Sequence, residues 1–210
     1  MLYYNIFYVR TFANAKPLLQ HAASSGSLEV IVSGNSYPKG AKFEDPIDLA
    51  NIYDEEVESH SDWCSNIRTE KDPLPYAEFR YDRKKFVVES YTLQMGCHEK
   101  GYCCKSLLEN DTCLDCQMNG WVFQISNDQV KWETVSRVEN PKESQDCKEK
   151  RYRLNKKRIT RYVRLLPLDN SSLCMQFTKF DVIGLYEFDP MAEGNKNVIG
   201  RIHKQRQFWY

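Results

Sequence analysis

Eight cysteines and four histidines are the residues whose chemistry could define this chain. Five of the cysteines fall within one stretch, in Gly96-Cys97-His98-Glu99-Lys100-Gly101-Tyr102-Cys103-Cys104 and Cys113-Leu114-Asp115-Cys116. Three chemistries stay open for them. Paired, they form a disulfide framework that stiffens a loop with no core of its own. Unpaired, they are the thiols of a reducing compartment. As thiolates, Cys113 and Cys116 could share one tetrahedral zinc with two of Cys97, His98, Cys103 and Cys104, although that second group lacks the spacing of a standard knuckle. Adjacent Cys103 and Cys104 are expected to reach separate partners. Cys147 and Cys174 are expected to pair with each other or with the loop, leaving Cys64 as a buried thiol.

Catalysis finds little support in the same inventory. A cysteine nucleophile needs a base held opposite it by a third group. His21 and His203 lie in terminal segments, His98 adjoins Cys97, and His60 sits in an acidic stretch before Trp63. There is no Gly-rich phosphate loop, no His-Glu-x-x-His and no nucleophile elbow. The chain is expected not to be an enzyme.

The elements that must position these residues read as strands. The chain has 210 residues, 41% hydrophobic and 13% aromatic, enough for one domain with a core. Lys+Arg and Asp+Glu balance at 29 each, so nothing in the charge calls for nucleic acid or an anionic membrane. No apolar run reaches the roughly 20 residues that span a bilayer. Leu28–Val32, Tyr76–Asp82, Phe86–Met95, Trp121–Ile125, a short run around Trp132 and Val135, Arg161–Leu166 and Lys179–Glu187 carry the strand pattern. In Tyr76–Asp82, Ala77, Phe79 and Tyr81 alternate with Glu78, Arg80 and Asp82. Short strands with turn residues between them predict an all-β, antiparallel β-sandwich of jelly-roll type with short flanking tails. The domain is expected over 28–188. Residues 1–27 read as an N-terminal extension, either a helix or strand packed on the domain or a former linker. Residues 189–210 read as a basic and aromatic tail.

The stretch Gly120-Trp121-Val122-Phe123-Gln124-Ile125-Ser126-Asn127-Asp128-Gln129 with Trp132 resembles the discoidin family, the coagulation-factor type C domains of the galactose-binding-like superfamily. Arg161-Tyr162-Val163-Arg164-Leu165 and Phe180-Asp181-Val182-Ile183-Gly184-Leu185 continue the resemblance in the same order, and Asp62-Trp63-Cys64-Ser65 precedes it. One departure is Gln129, where the family has glycine after the aspartate. A second is the absence of a cysteine before Cys64, which the end-to-end bridge of secreted members would need. Trp132 is expected to plug the sandwich.

The resemblance implies a non-catalytic recognition module that binds a glycan, lipid head group or protein surface through loop tips at one end. Loops 33–40, 60–68 and 96–118 would supply those tips, with Ser36, Tyr37, Trp63, Arg68, Tyr102, Leu107 and Leu108 as contacts. Trp63 reads first as core and, if exposed, as the floor of that end, and Arg68 reads as a ligand for a sugar or carboxylate or as a partner of the acidic stretch. The family also implies a structural calcium, for which Asp45 and Asp48 are the first candidates. The alternative is an intracellular adaptor domain whose Cys-rich loop is stapled by disulfides or zinc. The N-terminus lacks the pattern of a secretory leader, which favours the inside of the cell, whereas paired cysteines would favour the outside.

Overall fold

The computed structural model describes residues 15–38, 49–53, 62–97, 100–105, 113–139, 146–168 and 172–189. In chain order the strands are β1 (Lys16–Pro17), β2 (Leu28–Val32), β3 (Tyr37–Pro38), β4 (Trp63–Cys64), β5 (Ala77–Tyr81), β6 (Lys84–Gln94) and β7 (Cys103–Cys104). They continue with β8 (Cys113–Leu114), β9 (Gly120–Ser126), β10 (Glu133–Glu139), β11 (Lys150–Thr160), β12 (Tyr162–Pro167), β13 (Gln176–Phe177) and β14 (Lys179–Phe188). Among the described residues one α-helix, α1, spans Leu18–Ser24, and a 3-10 helix spans Leu49–Ile52.

Two sheets form a sandwich, with strand orders β10-β9-β12-β5-β2 and β1-β14-β6-β11. Every pairing within them is antiparallel. The alternation read in Tyr76–Asp82 sets the register: Phe79 lies opposite Val163 on β12 and Val30 on β2. Phe79 and Phe123 from one sheet meet Phe180 and Tyr91 from the other, with ring centroids 5.3 Å apart for Phe79–Phe180 and 4.6 Å for Tyr91–Phe123. All four rings are fully buried, and each such side chain contributes about 1.5–3 kcal/mol through removal from water. The indole Nε1 of Trp121 donates to the Tyr91 hydroxyl at 2.9 Å, so neither polar atom is stranded in the core. Burial pushes the Tyr91 hydroxyl up to about 12. Gly184 closes the sandwich where β14 shifts register against β6, because a Cβ there would stand 2.0 Å from the Val87 carbonyl oxygen.

The folded unit begins before Leu28. Leu18, Leu19 and Ala22 of α1 are fully buried, and β1 pairs with β14. Helix α1 starts at Pro17, which offers no side-chain cap. The carboxylate of Asp181 on β14 takes that role, accepting from the N–H groups of Leu18 and Leu19 at 2.9 Å and of Gln20 at 3.2 Å. Residues 16–24 therefore pack on the sandwich, and residues 1–14 lie outside the described residues. At the other limit, Asp189 is buried and receives a two-pronged ion pair from Arg161, with Lys85 at 3.7 Å. Residues 190–210 lie outside the described residues.

Two further expectations change. Strand β11, eleven residues at the edge of its sheet, was not legible as a strand. Trp132 does not plug the core: it is half-buried on the outer face, with the Arg164 guanidinium 3.9 Å from its ring centre. The missing glycine of the Ser126–Gln129 turn has a local remedy. Gln129 adopts φ 60°, its N–H donates to Ser126 Oγ at 3.0 Å, and its side-chain amide donates to Glu78 at 2.6 Å.

Asp181 generates a pH prediction. Burial raises its carboxyl from 3.8 to about 6, against the opposing pull of the four backbone N–H groups it accepts. The unfolded chain therefore loses this proton first as pH rises. The Asp181 contribution is fully present below about pH 4 and is lost by about pH 6, a fall of about 3 kcal/mol at 1.36 kcal/mol per pKa unit. Denaturant unfolding of the native chain and of Asp181→Asn at pH 4 and pH 7 reads this directly. The stability gap between the two should change by that amount across the range, and a constant gap contradicts the assignment.

Candidate functional site

The loops singled out in the sequence converge at one end of the sandwich, where β9 begins. Residues 33–38, 62–68, 96–97, 100–105, 113–119 and 172–177 meet there through very short ladders. Tyr37 on β3 lies opposite Cys104 on β7, and Cys103 lies opposite Leu114 on β8. Phe177 on β13 lies opposite Trp63 on β4, and isolated bridges join Asn35 to Ser65 and Gln117 to Gln176. Gly34 permits the closest of these approaches: its φ is 139°, and a Cβ would stand 3.0 Å from Cβ of Asn66.

Two-residue ladders are too short to hold themselves in water. Covalent bonds hold them: Cys64–Cys103, Cys104–Cys113, Cys116–Cys174 and Cys97–Cys147. Cys103 and Cys104 reach separate partners as expected. One expectation is corrected: Cys64 is bonded rather than a buried free thiol. Of the alternatives left open, Cys147 and Cys174 each join the loop. Cys113 and Cys116 end in different disulfides, the framework reading rather than the shared zinc. Among the described residues no group of three or more His, Cys, Asp or Glu is placed to hold a metal. Asp45 and Asp48, the calcium candidates, lie outside the described residues, as do His98, Leu107 and Leu108.

The remaining predicted contacts are brought together, but as scaffold. Trp63 is fully buried against Phe177, and its indole Nε1 donates to Asn35 Oδ1 at 2.9 Å. Ser36 is 3% exposed and its N–H donates to the Cys64 carbonyl at 3.1 Å. Tyr102 is buried with the disulfides, and desolvation, reinforced by the nearby Asp62 carboxylate, pushes its hydroxyl up to about 12. Arg68 is 5% exposed; its Nε donates to the Ser172 carbonyl at 3.1 Å and its N–H to the Leu173 carbonyl at 2.9 Å. It therefore holds the backbone of Ser172 and Leu173, while the acidic stretch lies outside the described residues. Tyr37 alone is half-exposed, within the β3–β7 ladder.

What this scaffold leaves open is a hollow of about 200 Å³ lined by Leu114, Asp115, Gln117, Asn119, Ser172, Leu173 and Cys174. Its wall has a two-residue period. Cys116, Met118 and Gly120 turn inward, whereas Asp115 and Asn119 are exposed and Gln117 is half-buried. The Gln117 N–H donates to Asp115 Oδ1 at 3.2 Å, which fixes the carboxylate at the rim. One carboxylate, two carboxamides and one hydroxyl beside the 37%-exposed side chain of Leu173 give donors and acceptors around an apolar patch. Sequence reasoning missed Asp115, Gln117 and Asn119. Their signal was the alternation from Leu114 to Gly120, overshadowed by the cysteines within it.

No family model matches this chain, and no curated protein matches it. Its fold is shared with solved structures. One is CpGH89CBM32-5 from Clostridium perfringens, in complex with GalNAc-β-1,3-galactose, at TM-score 0.52 and 10% identity over 80% of this chain and 99% of that one. A second is the family 32 CBM from C. perfringens NanJ in complex with galactose, at 0.50 and 9% over 83% and 98%. A third is the C-terminal domain of a chitobiase from Bacteroides fragilis, at 0.51 and 15% over 82% and 99%. At these identities the likeness establishes the fold: this chain is a β-sandwich of the discoidin, or galactose-binding-like, type.

The disulfides carry a direct test. Without reduction none of the eight cysteines should react with iodoacetamide in the native chain; after reduction and unfolding all eight should, as read by intact mass. Replacing Cys116 and Cys174 together by serine opens a closure of 58 residues and should lower unfolding stability by about 2–4 kcal/mol. Unchanged stability would place the rigidity of this end elsewhere.

Proposed function

We propose that this chain is a non-catalytic glycan-binding module whose ligand enters the hollow beside the Cys116–Cys174 bridge. The observation that carries the reading is the outward row Asp115, Gln117 and Asn119, facing Ser172 across a hollow that disulfides hold open. Sugar hydroxyls are paired donors and acceptors, and carboxylates and carboxamides match both roles from fixed positions. Leu114 and Leu173 supply the surface against which a C–H face of the ring rests. Two proteins of the same fold are described with galactose-containing ligands, which supports a neutral hexose as the first class to try. Leu107 and Leu108, outside the described residues, belong to the same insertion and are proposed to extend the rim.

The four disulfides support an oxidising compartment, since such bonds form and persist outside the reducing cytosol. They weigh against the intracellular adaptor reading. No helix among the described residues is long and apolar enough to cross a membrane. A structural calcium at Asp45 and Asp48 remains a proposal from the sequence resemblance.

A glycan array probed with the folded chain should return ligands ending in galactose or N-acetylgalactosamine. Gln117→Ala and Asp115→Ala, both at solvent-facing positions, should each weaken binding about tenfold or more, equivalent to about 1.4 kcal/mol, with the melting temperature unchanged. Wild-type affinity in both variants would remove the hollow from the binding surface.

A further inference from the structure

A second surface lies at the opposite end of the sandwich, where β9 ends. A cleft of about 510 Å³ opens there between the edge strand of each sheet, lined on one side by the turn after Ser126 and on the other by β11. The chain as a whole has no net charge, yet Lys131, Lys156, Lys157 and Arg158 line this cleft against only Asp128 and Glu133. Both acids are already engaged. Asp128 Oδ1 accepts the N–H groups of Val130 and Lys131 at 2.9 and 2.8 Å, which holds its carboxyl below the usual range. Glu133 pairs with Arg158 at 2.9 Å. Lys157 pairs with Glu89 at 2.5 Å. Lys131 and Lys156 are exposed and, among the described residues, make no ion pair.

The backbone directs these cations. The β11–β6 ladder passes from Arg153 opposite Ser90 to Arg158 opposite Val88, so the four residues 154–157 face the single residue Glu89. That bulge lifts Lys156 and Lys157 off the ladder toward the Asn127–Lys131 turn. Lysines on an edge strand also discourage strand pairing between molecules, but that role requires no partner cation from the other sheet. Here Lys131 comes from the turn joining β9 to β10 of the five-stranded sheet, and Lys156 from β11 of the four-stranded one. Ile159, 51% exposed, lines the cleft, and Val130, 80% exposed, precedes the lining residue Lys131 in the same turn.

We infer that this cleft binds a polyanionic glycan, a sulfated or carboxylated polysaccharide segment, at a site separate from the hollow. Its concave shape fits one extended chain, with anionic groups on Lys131 and Lys156 and ring C–H faces on Val130 and Ile159. The attraction is electrostatic and partly exposed, so it weakens with salt.

The test titrates the full chain with a fluorescent heparin-derived hexasaccharide, its desulfated counterpart, and phosphatidylserine/phosphatidylcholine vesicles. The sulfated probe should bind, and its affinity should fall at least tenfold between 50 and 300 mM NaCl. Lys131→Glu combined with Lys156→Glu should weaken it at least tenfold at low salt without changing the melting temperature. Asp115→Ala should leave it unchanged, which separates this site from the hollow. Equal binding of the desulfated probe, wild-type affinity in the double variant, or capture by vesicles without binding of the hexasaccharide would each overturn the inference.

Discussion

The end of the sandwich where β9 begins is built from ladders two residues long, and four sulfur–sulfur bonds decide whether that end has a shape at all. Cys64–Cys103 ties the insertion to β4, which is itself fixed by Trp63 in the core. Cys116–Cys174 ties the start of β9 to the segment before β13. Between those anchors the Arg68 side chain is consumed in holding backbone, and Ser36 and Tyr102 are buried. Among the described residues, the positions alternating with Cys116 and Met118 face outward, beside Leu173. The disulfides thus determine which residues can meet a ligand, by burying the aromatic and basic side chains that residue type alone would nominate.

The body of the sandwich supplies a different kind of rigidity. The four rings of Phe79, Phe123, Tyr91 and Phe180 interlock across the sheets, and Asp181, next in sequence to one of those rings, caps the helix that closes the core. Asp189, directly after β14, is held by Arg161. Helix and sheets are therefore fastened by two aspartates on or beside one strand, β14, each aimed at a partner distant in sequence.

Where alternation was clean, the strands were legible: Ala77, Phe79 and Tyr81 face inward as their spacing requires, and Arg161–Leu166 pairs on both sides. Strand β11 was not, because its apolar positions, Tyr152 and Leu154, are outnumbered by cations that an edge strand can leave in water, and the bulge at 154–157 breaks the period. The discoidin resemblance located the correct end of the fold for converging loops, since backbone order carries that information. Trp63, Arg68 and Tyr102, which it named among the contacts, are buried, since orientation at this end depends on disulfides whose pairing no spacing could give. The glycine missing at Gln129 shows the same limit: its left-handed backbone is stabilised by Glu78, a residue of another strand.

The two proposed surfaces sit at the two ends of β9, with Asn119 before the strand and Asn127 after it. Seven residues at about 3.3 Å each separate them by about 23 Å. Six of those seven residues are buried, and β9 pairs with a neighbour on both sides. Such a strand offers no second arrangement through which occupancy of one end could alter the other, and coupling needs a bistable element. Any advantage of having both surfaces on one chain must then come from effective concentration: a polysaccharide carrying neutral hexoses and anionic residues about 23 Å apart engages the second surface as an intramolecular step once the first is occupied. The rigidity that rules out allostery is what fixes the spacing such a ligand must have.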